Sequence, residues 1–218
     1  MSSAFFWGEA AINADRAMLL AAGLSGLVLF RRLPASLQYL AVLVWVGLAV
    51  EVIAFLLYSN NLPNLLLIPG DAAVEVWLLS LVYERALQWP TYARWRPWVA
   101  GAFVLYAIFS GWLLTDPAHF QPALMVGESL LVLVLPGLYF RKLLNELHVR
   151  NLARDAMFWV STGLLLYFLG KLLIGLFSNY LLANYSEELN MWVWFVHAVL
   201  LFVLHSCYLR ALWLRPQK

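Results

Sequence analysis

Six ionisable side chains stand where a chain this apolar has least use for them. Glu51, Glu75, Glu128, Lys171, His197 and His205 each fall inside a run of residues that otherwise reads as lipid-spanning helix. A charged side chain at the centre of such a helix costs roughly 2.5–3.5 kcal/mol on insertion scales. Carboxylates, an ammonium group and imidazoles inside a membrane domain can hold a ligand, relay protons or, with a metal, hydrolyse a bond. They can also simply pair with one another and hold helices together. The spacing of these residues along their helices decides how many can meet.

The elements that must position them are apolar. The chain has 218 residues, 64% hydrophobic and 12% charged, with a mean hydropathy of +0.78, whereas a soluble domain carries about 25% charged residues. No hydrophilic stretch is long enough for a soluble domain, so residues 1–218 read as one membrane domain. Runs near the 17–25 residues a spanning helix needs fall at about 13–30, 36–58, 62–84, 97–114, 120–140, 155–180 and 190–213. Their length and lack of strict alternation predict helices rather than strands. The fold class expected is therefore all-α, a polytopic bundle of seven transmembrane helices, with sequential helices as antiparallel neighbours. Pro34, Pro63, Pro90, Pro97, Pro117 and Pro122 mark expected helix ends, while Pro69 and Pro136 fall inside runs and predict kinks. The single cysteine, Cys207, lies in the last run, so it has no intrachain disulfide partner. The first residues, MSSAFFWGEAAINADR, lack a basic region before an apolar core, and a cleaved signal peptide is not expected.

Charge gives the expected orientation. Twelve of the fourteen Lys and Arg lie in the odd-numbered loops and the C-terminus; the exceptions are Arg16 and Lys171. Glu9, Asp15, Asp116, Glu187 and Glu188 flank the other side. Positive-inside places the N-terminus outside and the C-terminus in the cytoplasm. Trp7, Trp89, Trp95, Trp98, Trp112, Trp192 and Trp213 fall near run ends, as an interfacial belt would. The basic loops come with no nucleic-acid motif, and topology with attraction to anionic lipid accounts for them.

At 1.5 Å per residue, Glu51 and His197 lie about 10 Å below the outer end of their runs, Glu128 about 12 Å and Lys171 about 14 Å, with Glu75 near the middle of its own. Five helices thus offer an ionisable group to one slab of the outer half, and His205 lies deeper, most simply bonded to serine or backbone in the core. Asp71 and Glu75, four apart, share a helix face, as do Tyr167 and Lys171. The candidate ligand-binding set is Glu51, Glu75, Glu128, Tyr167, Lys171, Trp194 and His197, with Tyr167 and Trp194 as walls. In this reading Lys171 holds an anionic group, the glutamates set polarity and His197 titrates near physiological pH.

Several chemistries fit less well. A retinal Schiff base would want a lysine in the last run, which has none. His197 and His205, eight residues and about 12 Å apart, are too far apart to share one zinc, and the chain has neither HExxH nor a nucleophile elbow. No internal repeat of the transporter kind stands out, and the inner half is more apolar than the outer. An outer pocket closed at its floor predicts a ligand-binding or sensory, receptor-like protein that signals through a cytoplasmic or membrane partner. An intramembrane hydrolase and a proton or small-solute transporter are the alternatives. No cofactor and no metal is read from the residues.

Residues 155–182, DAMFWVSTGLLLYFLGKLLIGLFSNYLL, and 191–213, MWVWFVHAVLLFVLHSCYLRALW, carry Phe158, Trp159, Thr162, Gly163, Leu165, Tyr167, Gly170 and an early His197. Together with GDAAVEVWLLSLVYERAL around Glu75, this pattern resembles a group of small seven-span membrane proteins common in Bacteroidota. The resemblance covers most of the chain. It implies seven spans and a bacterial inner membrane, and no activity.

Overall fold

The computed structural model describes residues 3–62, 64, 67–113, 122–146, 151–184 and 187–214, and among these the regular structure is entirely helical. The α-helices are α1 (Ser3–Leu29), α2 (Ala35–Ser59), α3 (Leu67–Leu87), α4 (Pro90–Leu113), α5 (Pro122–Glu146), α6 (Ala156–Asn184) and α7 (Glu187–Trp213). Short 3-10 turns, Phe30–Arg32 and Leu152–Arg154, precede α2 and α6. Helices are what a bilayer demands, since each satisfies its own backbone polar groups. Five contain segments long and apolar enough to cross a membrane: Trp7–Arg32, Ala35–Ser59, Pro122–Asn145, Ala156–Phe177 and Asn190–Trp213. The chain is thus a helical, multi-pass membrane protein. The other two expected spans, α3 and α4, have the length but are more polar: α3 carries Asp71, Glu75, Glu84 and Arg85, and α4 carries Arg94 and Arg96 among its aromatics.

Several expected boundaries move. α1 begins about ten residues before the apolar run, which places Asp15 well inside a helix rather than at its mouth. α4 begins at Pro90, so Pro97 lies within it instead of marking its start. α3 begins at Leu67, so Pro69 sits in the first turn, where a missing amide hydrogen is tolerated, and not mid-span. Pro136 is inside α5 as expected. Pro63, Asp116, Pro117, Arg150, Arg215, Lys218 and the span ends expected at 114 and 120 lie outside the described residues, as do the side chains of Trp112, Glu187 and Glu188.

The ends that are described have identifiable stops. Gln88, just past α3, adopts φ 56, and Asn61, past α2, adopts φ 55; both take the left-handed conformation that commonly ends a helix. The Lys142 ammonium of α5 donates to the carbonyls of Ala86 and Leu87 at 3.1 and 2.9 Å. It satisfies acceptors that the end of α3 would otherwise leave bare.

Side-chain contacts fix helix directions. Asp15 meets His205 and Ser25 meets Trp213, in the same order along both helices, so α1 and α7 run parallel. Arg16 with Glu51 and Gly23 with Trp45 run in opposite order, so α1 and α2 are antiparallel. The basic segments Arg31–Arg32, Arg85, Arg94–Arg96, Arg141–Lys142 and Arg154 consequently gather at one end of the bundle, here called the basic end. α1, α2, α3, α5, α6 and α7 close into a ring, with α7 packed along α1. α4 stands outside it, packed on α3 and barely touching α5. The expectation that every sequential pair would be neighbours fails at α4 and α5, because α3 and α5 meet directly and leave α4 no place in the ring.

The two halves of the ring pack differently. On α2 the buried residues are Ser36, Leu37, Leu40, Ala41, Leu43 and Val44, all in the half near the basic end. On α6, Val160, Ser161, Leu164 and Phe168 are buried while Leu173, Leu176 and Phe177 are exposed. Helices approach closely in this half, with β-carbon positions of neighbouring helices nearly in contact. A Cβ on Gly163 of α6 would stand 2.8 Å from the Cβ of Cys207 on α7, and one on Gly26 of α1 would stand 3.1 Å from that of Ala41 on α2. Small residues permit such contact where apolar lipid supplies no driving force of its own.

Candidate functional site

Three ring helices meet on one ammonium group. Lys171 of α6 lies 2.9 Å from a Glu128 oxygen of α5 and 3.8 Å from a Glu75 oxygen of α3. The Glu128 side chain is only 3% exposed, those of Lys171 and Glu75 14% and 16%. The ammonium also stands 5.0 Å from the ring centre of Phe168 and 5.6 Å from that of Tyr167, close enough for cation–π attraction. Two carboxylates and two ring faces thus surround one cation. Geometry of this kind is what allows an ion pair to persist away from water. Asp71, one turn of α3 away from Glu75, is within electrostatic reach of Lys171 and Glu128.

A second layer extends across α7. The Tyr167 hydroxyl is 3.4 Å from Nε2 of His197, a long contact whose donor depends on the imidazole tautomer. His205 Nδ1 is 2.6 Å from an Asp15 oxygen, a short charge-assisted pair linking α7 to α1. Glu51 does not join the lysine; its carboxylate pairs at 2.7 Å with Arg16 across α1 and α2, where both side chains are over 40% exposed.

These groups border one cavity of about 270 Å³ inside the ring. Asp15, Glu51, Asp71, Glu75, Tyr167, Lys171, His197, His205 and Tyr208 supply its polar wall, and aliphatic residues such as Val44, Leu201 and Leu204 supply the rest. Glu128 stands behind Lys171. Gly47 leaves the α2 side open: a Cβ there would meet nothing nearer than Leu19 at 4.0 Å. Of the groups around this cavity, Oε1 of Glu128 and the hydroxyl of Tyr208 are buried with no hydrogen-bond partner among the described residues. Among the described residues no three His, Cys, Asp or Glu side chains are grouped to hold a metal.

Of the seven residues picked out by sequence, Glu75, Glu128, Tyr167, Lys171 and His197 come together, and Glu51 shares the cavity through a different partner. Trp194 does not line it. Its ring is 52% exposed and touches His197 edge to face, 5.7 Å between centroids. Three residues from His197 is a 60° offset around the helix, enough to turn a bulky amphipathic ring outward. Asp15 and Tyr208 were not singled out as site residues. Asp15 looked like a flanking acid because the apolar run starts at Asn13; helical spacing of His205 and Tyr208 on one α7 face was the available hint. His205, expected to bond serine or backbone, instead has Asp15.

The motif that suggested a resemblance is the α6–α7 contact itself. Gly163 faces Cys207 and Leu204, Gly170 faces Leu200, Thr162 bonds back to the Phe158 carbonyl at 2.8 Å, and Tyr167 reaches His197. No protein-family model matches the chain, and comparison with curated proteins and with solved structures yields no match either.

Proposed function

We propose that this is a seven-span inner-membrane protein, N-terminus outside, that binds a small ligand in the ring cavity and reports its occupancy to a partner. The observation that carries the reading is the convergence of ionisable and aromatic side chains from five ring helices on one cavity of about 270 Å³. This is slightly below the usual range for small-molecule pockets, roughly 300–1,000 Å³, so the ligand is small. The concentration of Lys and Arg at the opposite end supports an outward-opening cavity. The resemblance to the small seven-span group of Bacteroidota supports the span count and the membrane.

A route for the signal is available in α1 and α7. The Asp15–His205 pair borders the cavity, and the Ser25–Trp213 bond joins the same two helices near the basic end. A ligand that disturbs the first contact shifts α7 against α1, and the exposed basic segments present the change to a cytoplasmic or membrane partner. A second reading, proton or small-solute transport, is favoured by polar groups below the cavity floor. Tyr83 and Ser161 bond at 2.8 Å in the buried half, continuing the line from Tyr208.

The experiment is denaturing extraction and mass spectrometry of small molecules from the protein purified in mild detergent, beside a Gly47→Phe variant. A stoichiometric molecule in the native protein and its loss from the variant are expected. The same complement of molecules in both proteins would overturn the cavity as the site. Proton flux through proteoliposomes, abolished by Tyr83→Phe, would transfer the assignment to transport.

A further inference from the structure

A second cavity lies outside the ring, where α4 packs on α3 and leaves a cleft between itself and α5. It holds about 230 Å³, more than the roughly 150 Å³ of an engineered apolar cavity that takes up benzene. Its walls are Val99 and Ala100 of α4 and Leu131, Val134, Leu135 and Leu138 of α5. Residues 131–138 fall within the apolar segment Pro122–Asn145, so the cleft lies at hydrocarbon depth. Val134 is 54% exposed and Val99 50%, and the cleft opens sideways, towards the surroundings of the bundle. At that depth no water is present to fill it. What stands against these walls in a membrane is an acyl chain.

The end of the cleft towards the basic end is different. Tyr92, Trp95 and Arg96 line it. The Tyr92 hydroxyl donates to the Ser80 carbonyl at 3.1 Å. The Arg96 guanidinium pairs with Glu84, reaches Oγ of Ser80 at 3.4 Å and lies 5.2 Å from the ring centre of Trp77. These contacts hold the guanidinium in place without using all five of its donors. Trp95, 61% exposed, stands beside it, an amphipathic ring of the kind that sits at headgroup level. The basic ends of α3, α4 and α5 and the turn before α6 carry Arg85, Arg94, Arg96, Arg141, Lys142 and Arg154, against Glu84, Glu146 and Asp155. Guanidinium groups stay charged in proteins, so the excess is positive whatever the protonation of the three acids. An apolar slot ending in a cationic, aromatic rim complements a lipid with an anionic headgroup.

We propose that the cleft between α4 and α5 binds one anionic glycerophospholipid from the leaflet at the basic end. One acyl chain lies between Val99 and Val134, and the phosphate meets Arg96 and Trp95 at the rim. The lipid then supplies the contact with α5 that α4, among the described residues, barely makes for itself. The site is separate from the ring cavity and does not depend on what that cavity holds.

The test is native mass spectrometry of the full-length protein, stripped of lipid in detergent and titrated with dioleoylphosphatidylglycerol or dioleoylphosphatidylcholine. The expected result is one phosphatidylglycerol held per chain, at least fivefold tighter than phosphatidylcholine. Val134→Trp fills the mouth from an exposed position and should weaken that binding at least fivefold. Leu24→Trp, on the exposed face of α1, should leave it unchanged. Arg96→Gln made together with Glu84→Gln, so that neither charge is orphaned, should bring the two lipids within twofold of each other. If Val134→Trp lowers the unfolding midpoint by more than a few degrees, Val99→Trp on the facing wall takes its place. Equal binding of the two lipids by the native protein would overturn the anionic headgroup. Binding unchanged in the cleft variant would place the lipid elsewhere, and a preference that survives the double variant would remove Arg96 from the headgroup. A lipid-free dimer that the cleft variant dissociates would assign the cleft to a second copy of the chain. Each of these outcomes contradicts the proposal, as does the absence of any retained lipid.

Discussion

The half of the ring near the basic end and the half away from it are built from the same helices and do opposite things. Near the basic end, Leu37, Leu40, Leu79, Val82, Val160 and Leu164 are almost wholly buried, and α6 approaches α7 closely enough to need glycine at position 163. Towards the other end Val52, Phe55, Leu173 and Phe177 are exposed, and the space inside the ring is lined by acids, histidines and tyrosines. One half supplies packing, and that packing supports a polar interior in the other. The Lys171 centre lies where they meet, and it is where the ring depends on charge.

That contrast breaks hardest at Lys171. Lys171→Met leaves the carboxylates of Glu75 and Glu128 buried without their cation, and removing one partner of a buried pair costs about 3–5 kcal/mol. A large loss of thermal stability in detergent is expected. Replacing Glu128 by Met in the same chain should recover a substantial part of it, because the orphaned charge goes too. Additive losses in the double variant would mean that the three groups do not act as a unit. Next in size is Gly163→Ala in the packed half. The added methyl meets a Cβ rather than the end of a flexible side chain, so α6 and α7 must separate, at about 1–3 kcal/mol. A wild-type unfolding midpoint would show that this interface is looser than drawn.

Smaller effects belong to the open half. Arg16→Gln removes a pair whose side chains are 45% and 42% exposed, worth about 0–1 kcal/mol, and its midpoint should shift by no more than a few degrees. Gly47→Phe, built into open space, should leave stability close to native while excluding ligand. A collapse of the fold in that variant would mean that the cavity wall is as tightly packed as the basic-end core.

The sequence carried this division unevenly. Apolar runs located all seven helices, since length and composition suffice for that. Helical depth brought Glu75, Glu128, Lys171 and His197 to one level, and the structure joins the first three. Partners across the ring were not readable. Glu51 looked like a companion of Lys171 because nothing in the sequence sets Arg16 of α1 beside it. The Asp15–His205 pair was hidden for the same reason, being a contact between helices 190 residues apart. Hydropathy could not show that α4 is excluded from the ring, because α3, which belongs to it, is as polar as α4. Lys142 read as one more topogenic cation, while its ammonium caps α3.

The measurement that bears most directly on the account is thiol accessibility at position 47. The only native cysteine, Cys207, is buried against Gly163 and can be replaced by alanine. Gly47→Cys in that background is then labelled with a membrane-impermeant maleimide, in intact spheroplasts and in inverted vesicles. An outward-opening cavity predicts labelling from the outside only. Labelling only from the cytoplasmic side, or none from either side while the denatured protein labels fully, would contradict it.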